Sequence, residues 1–129
     1  MKYLSSEDIL QIHSVVIDEI GGMHGVRDMH VVLGLENSPR QAVFGKELYP
    51  EVFDKAAVYA RNIISNHPFL DGNKRTGMTA SFVFLEDNGF VAKAEEGEIE
   101  RFALAIIKEQ LDIKEIAAWL KKHSRKARV

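Results

Sequence analysis

The chain contains no cysteine. That excludes a disulfide framework, a cysteine-ligated zinc and a thiol nucleophile. It also lacks a large charge of either sign. The formal net charge is -2, which argues against a general binder of nucleic acid or membrane surfaces. No apolar run approaches the ~20 residues needed to cross a bilayer. The first residues, Met1 to Asp8, turn acidic at once and lack the apolar stretch of a signal peptide. A cytoplasmic location is therefore expected. There is no internal repeat, low-complexity segment or linker. The 129 residues fit one domain, 1–129, with a core over about 3–120 and a basic tail over 121–129. Hydrophobic residues make up 46%, and a chain of this length buries roughly two-thirds of the surface it would expose unfolded. A real core is expected.

What is present is helical periodicity. Ile9, Ile12, Val16 and Ile20 form one stripe, with Ser5 or Ser6 as cap and Gly21-Gly22 as stop. A shorter helix is predicted from about Arg27 to Leu35. Residues 41–49 suggest a small extended flap or hairpin turning at Gly45. Pro50 suits the first turn of a third helix, whose apolar face is Val52, Ala56, Ala60 and Ile63. Pro68 ends that helix by biasing His67 away from the helical region. A fourth helix starts near Gly72 or Asn73, carries Met78, Phe82 and Leu85, and stops at Asn88-Gly89. A short extended connection over 90–93 follows. Two amphipathic helices are predicted over 98–109 and 112–123, with Trp119 on the core face of the second. The basic residues 121–126 read as cations at a helix C-terminus followed by a solvated end. The fold class is all-α, about six helices with a small flap.

The segment His67-Pro68-Phe69-Leu70-Asp71-Gly72-Asn73-Lys74-Arg75 joins two predicted helices. The first amides of the second helix have no intrahelical partner, and the dipole there favours an anion. Gly72 allows a phosphate close to the backbone, Lys74 and Arg75 add charge, and arginine can grip a phosphate with two donors. Asp71 suits either a helix cap or a Mg²⁺ ion shared with phosphates. His67 suits either a buried ring or a base that takes a proton from a hydroxyl. Phe69 reads as an anchor that pins the loop. His13, His24, His30 and His123 show no metal-ligand spacing and read as surface or helix-face residues. Arg61 faces either the site or solvent, Arg27 and Asp28 suit a structural turn and cap, and Lys46 and Tyr49 lie near the flap.

The pattern H-x-F-x-D-G-N-K-R resembles the Fic/Doc family, its death-on-curing (Doc) branch in particular. Gly25-Val26-Arg27-Asp28, Leu48-Tyr49-Pro50 and Phe82 to Gly89 extend the likeness over about 3–120. The resemblance implies a compact helical bundle with a flap beside the site. It also implies transfer of part of ATP to a protein hydroxyl, with Mg²⁺. His67 would be the base and Asp71 the metal ligand; Gly72, Asn73, Lys74 and Arg75 would hold phosphates. AMP-transferring members have glycine at the position of Lys74 and a second arginine at that of Met78. Both departures favour the Doc branch, which transfers the γ-phosphate like a kinase. AMP transfer and an inactive partner-binding module are the alternatives. The resemblance further implies a toxin that inhibits translation, with a serine or threonine of elongation factor Tu as the leading target. It implies an antitoxin whose helix, apolar on one face and carrying acidic residues, lies in a groove. Self-inhibited members carry Ser/Thr-x-x-x-Glu-Gly/Asn; here Glu96-Gly97 is preceded at that spacing by Ala92, so no built-in inhibitor is expected.

Overall fold

The computed structural model describes residues 1–128. Among them are six α-helices: α1 (Ser6–Ile20), α2 (Met29–Gly34), α3 (Val52–Asn66), α4 (Asn73–Asp87), α5 (Glu96–Lys108) and α6 (Ile113–Lys122). Two small antiparallel strand pairs accompany them. Strands β1 (Ala42–Val43) and β2 (Lys46–Glu47) make the flap; β3 (Phe90–Ala92) pairs with β4 (Ser124–Lys126). The expected all-helical architecture with a flap is the one observed.

Helix α3 is the centre because its first half is buried all round. Phe53 to Ala60, Ile63 and Ile64 are all buried. A stretch buried all round must be covered on every side, and α4, α5 and α6 cover it. The α3–α4 approach is close because Gly77 of α4 has no side chain. A Cβ there would lie 2.6 Å from Ile64 Cγ1 and 3.1 Å from the Ala60 carbonyl. Tyr59 of α3 is fully buried, and its hydroxyl oxygen accepts the Leu4 amide at 3.1 Å. Burial of that hydroxyl, the largest influence, pushes its pKa up to about 12.

Local chemistry sets the helix ends. Ser5 and Asp8 form a reciprocal capping box on α1, and Asp112 and Glu115 form one on α6. Three expectations need correction. Pro50 lies outside α3, whose N-cap is Glu51. The inward face of α1 is Ile9, His13, Val16 and Ile17; Ile20 is exposed and Ile12 only half-buried. The basic tail is not simply a solvated end, because β4 returns as a strand along β3. That return is held by Ser124 Oγ donating to the Leu120 carbonyl at 2.6 Å and by the Lys93 amide donating to the His123 carbonyl. Val129 lies outside the described residues. Trp119 is half-buried, stacked between Phe102 and His123.

The flap turns at Phe44 and Gly45, both with positive φ (51° and 77°). Two such residues in a row fit the right-handed twist of a tight hairpin. A buried lysine anchors it: Lys55 Nζ of α3 donates to the Pro39 carbonyl at 3.1 Å and to Glu47 Oε1 at 2.9 Å. Burial alone would pull the ammonium's pKa down, but hydrogen bonds with Glu47 and Tyr3 outweigh it and leave it raised.

Candidate active site

The segment 67–75 forms a corner between the end of α3 and the start of α4. His67 is the C-cap of α3, left-handed at φ 49°, ψ 58°. A non-glycine residue held this way stores about 1–3 kcal/mol and persists only where its surroundings determine it. Those surroundings are the segment 25–28. The Arg27 and Asp28 amides donate to the Pro68 carbonyl at 2.7 and 3.0 Å, and the Leu70 amide donates to the Gly25 carbonyl at 3.1 Å. Val26 and Phe69 form an antiparallel bridge.

The His67 ring is exposed, and its Nδ1 lies 3.2 Å from the Ser65 carbonyl. A carbonyl only accepts, so Nδ1 is the donor in this contact, and in the neutral ring Nε2 then keeps its lone pair. That is the form a general base requires. Phe69 is buried, stacked face to face on His13 with centroids 3.8 Å apart. His13 is itself buried and donates from Nε2 to the Asp71 carbonyl at 2.8 Å. The reading of His13 as a surface or helix-face residue is thus corrected: it is a core ring that ties α1 to the loop. No group of three or more His, Cys, Asp or Glu side chains suited to a metal occurs among the described residues.

Asp71 is exposed, and its two oxygens accept the amides of Gly72 at 3.0 Å and Met23 at 3.2 Å. It is not the N-cap of α4; Gly72 is, in a left-handed conformation at φ 75°. A side chain at Gly72 would also strike Ile17 Cδ1 at 2.8 Å. Each carboxylate oxygen retains a further lone pair directed away from one amide. A single carboxylate of this kind fits Mg²⁺ held jointly with phosphate oxygens and does not make a self-sufficient metal site.

The start of α4 is open. The first intrahelical amide bond is Thr76 to the Gly72 carbonyl, which leaves the amides of Asn73, Lys74 and Arg75 without helical partners. The Gly72 amide is already taken by Asp71. The Asn73 side chain is buried and committed: its Oδ1 accepts the Phe69 amide and its Nδ2 donates to the Phe69 carbonyl, both at 3.0 Å. In this state it shapes the loop, and the expected phosphate contact from its amide group is not on offer. Lys74 is exposed and forms no ion pair among the described residues. Arg75 is half-buried and paired through Nη1 with Glu96, the first residue of α5. The site motif therefore does meet an internal carboxylate, although the sequence lacks the inhibitory pattern. Met78 is in the core, 1% exposed. Arg61 is half-buried and lines a cleft between α3 and the end of α5 with Asn62, Asn66 and Gln110.

His13, Arg27 and Glu96 are the contributors that sequence reasoning did not place at the site. A histidine four residues after Ile9 was the only trace of the first. Glu96 stood out by the glycine after it but lacked the Ser/Thr four positions earlier, and Arg27 was read as part of a turn.

A family model described as the Fic/DOC family matches residues 3–85. The chain is 36% identical over 100 residues to "Toxin Doc" of Mycolicibacterium smegmatis, covering 78% of this chain and 74% of that protein. It is 29% identical over 92 residues to "Protein kinase doc" of Escherichia phage P1, covering 69% of this chain and 70% of that one. The match spans the whole corner from His67 to Arg75, all of α3 and α4 as far as Leu85, and the chain belongs to the Fic/DOC family.

Proposed function

We propose that this protein is a Doc-like toxin that transfers the γ-phosphate of ATP to a serine or threonine hydroxyl of a target protein. The observation that carries the reading is the corner itself. A histidine whose Nδ1 faces the Ser65 carbonyl ends one helix, and amides without partners among the described residues, with Lys74 and Arg75, begin the next. The names of two relatives, a toxin and a protein kinase, point the same way.

In the proposed step, His67 Nε2 takes the proton of the target hydroxyl. The oxygen forms a bond to the γ-phosphorus while the bond to the bridging oxygen breaks, and ADP leaves with the electron pair. Lys74, Arg75 and the amides of 73–75 hold the phosphates and offset their charge. Asp71 is the residue that would hold Mg²⁺, which neutralises phosphate charge when bound. Phosphate transfer is preferred to AMP transfer because Met78 is buried in the core and cannot grip a phosphate, and because Lys74 stands at the helix start.

The partner of this reading is an antitoxin segment. A groove of about 410 Å³ lies between α1 and α4, with Ile12, Val15, Ile20 and Val83 in its lining. Its charged residues are Asp8, Glu19, Asp87 and Arg75. Three acids against one base favour an apolar helix with mainly basic flanks and one carboxylate for Arg75. Elongation factor Tu remains the target to try first, on the family resemblance alone.

The test is ATP labelled on the γ-phosphate, incubated with the protein and a bacterial lysate. One protein should become labelled, and His67→Ala should lower the rate by about 10²–10⁴-fold. Label arriving only from the α-phosphate would replace this reading with AMP transfer. No label from either, with no effect of overproduction on growth, would leave a partner-binding module.

A further inference from the structure

Arg27 has no part in the transfer chemistry above, yet its guanidinium is fastened to the backbone that carries the base. Its Nε donates to the His67 carbonyl at 2.6 Å, and its Nη2 donates to the Asn66 carbonyl at 2.7 Å. The side chain reaches there from 40 positions earlier in the chain. Both carbonyls belong to the end of α3, where the last carbonyls lack intrahelical donors and the dipole is negative. With the Arg27 and Asp28 amides on the Pro68 carbonyl, three successive carbonyls are held by one dipeptide.

The guanidinium is planar, so two donors on two adjacent carbonyls restrict both peptide planes at once. That matters at His67, whose left-handed backbone is strained and must be held from outside. The ring orientation is tied to the same turn, because Nδ1 bonds the Ser65 carbonyl. Fixing the backbone at 66 and 67 therefore fixes the direction of Nε2. Arg27 is exposed and adds nothing to the core, so packing does not explain an arginine there.

We propose that Arg27 is a positioning residue: its fork on the Asn66 and His67 carbonyls holds the imidazole in the one orientation that accepts the hydroxyl proton. This rests on the reading of His67 as base. An ammonium cannot span both carbonyls in one plane, so lysine does not replace it.

The experiment compares the full chain with R27A and R27K. R27A should lower kcat for γ-phosphate transfer by about tenfold to a hundredfold, the cost of a misplaced reacting group. KM for ATP should stay within about twofold, since the phosphate-holding residues are untouched. R27K should resemble R27A. Independently of any transfer, amide hydrogen exchange should quicken at His67 and Leu70 but not along α6. A kcat for R27A within about twofold of the wild type would overturn the proposal. So would full rescue by R27K, or faster exchange across the whole chain, which would mark a folding role. Should the wild type transfer no label, the reaction itself fails, and unchanged exchange at His67 and Leu70 would then sink the clamp as well.

Discussion

The end of α3 and the start of α4 are separated by six residues, His67 to Gly72, and are treated in opposite ways. At the end of α3 the carbonyls of Asn66, His67 and Pro68 all have donors, supplied by Arg27 and Asp28. At the start of α4 the amides of Asn73, Lys74 and Arg75 are left open. The first end carries a strained residue and is tied down; the second carries none beyond a glycine cap and is free to meet a ligand. A base needs one fixed orientation, whereas a phosphate brings its own acceptors and needs only unpaired donors. The loop between them is held rigid by Asn73 on the Phe69 backbone and by His13 on the Phe69 ring and the Asp71 carbonyl.

The largest expected effect divides the two ends by function. His67→Ala should lower transfer by about 10²–10⁴-fold yet leave ATP binding nearly intact by calorimetry. Arg75→Ala should weaken ATP binding by about tenfold, as for loss of a charged hydrogen bond. If His67→Ala also destroyed binding, the two ends would not be separate in role.

Alkaline unfolding tests whether α3 behaves as a buried pillar away from its end. Burial pushes the Tyr59 hydroxyl up to about 12, so the folded state holds this proton more tightly than the unfolded chain. That stability is complete below pH 10 and is lost as pH rises towards 12, to the extent of about 2–3 kcal/mol. Lys55 also has a raised pKa and acts in the same direction, its contribution fading above 10.5. Tyr59→Phe should flatten the melting temperature over this window, and an unchanged profile would contradict the burial argument.

Asn73→Ala should cost about 1–3 kcal/mol, because it strands the buried amide and carbonyl of Phe69. Thermal unfolding measures it, and a loss below a few tenths of a kcal/mol would show that water replaces the side chain. The smallest effect is at the open end. Glu96→Ala frees Arg75 from its internal carboxylate and should tighten ATP binding by about two- to fivefold, in keeping with the modest strength of exposed ion pairs. Weaker binding would show that Glu96 orients the guanidinium instead of competing for it.

Much of this was readable from local signals. The capping residues Ser5 and Asp112, the stops at Gly21 and Pro68, and the junction at Gly72 act within one turn of chain. Hence helix number and most boundaries could be inferred, and the motif could be placed on a loop entering a helix. The inward face of α1 was misjudged because Ile12 and Ile20 border the groove between α1 and α4, and periodicity alone does not say which of two adjacent apolar faces is covered. In the tail, Lys121 and Lys122 do close α6 and Arg125 and Lys126 are exposed, but the strand was missed because the backbone of 124–126 pairs with β3 whatever its side chains are. Lys55 was hidden within an apolar helix, and only the position of Glu47 and Pro39 explains a buried ammonium there.

By itself the sequence determined the helical architecture and the chemical inventory of the corner: a histidine, a carboxylate, a glycine and two cations around a helix start. Those follow from residue type and spacing, which act over a few positions. Tertiary structure alone decided which atoms remain available. It set Glu96 against Arg75, laid the Met23 amide on Asp71, and brought His13 and Arg27 to the loop across 58 and 40 positions. Such pairings depend on where packing brings distant helices and loops, and no local periodicity encodes that.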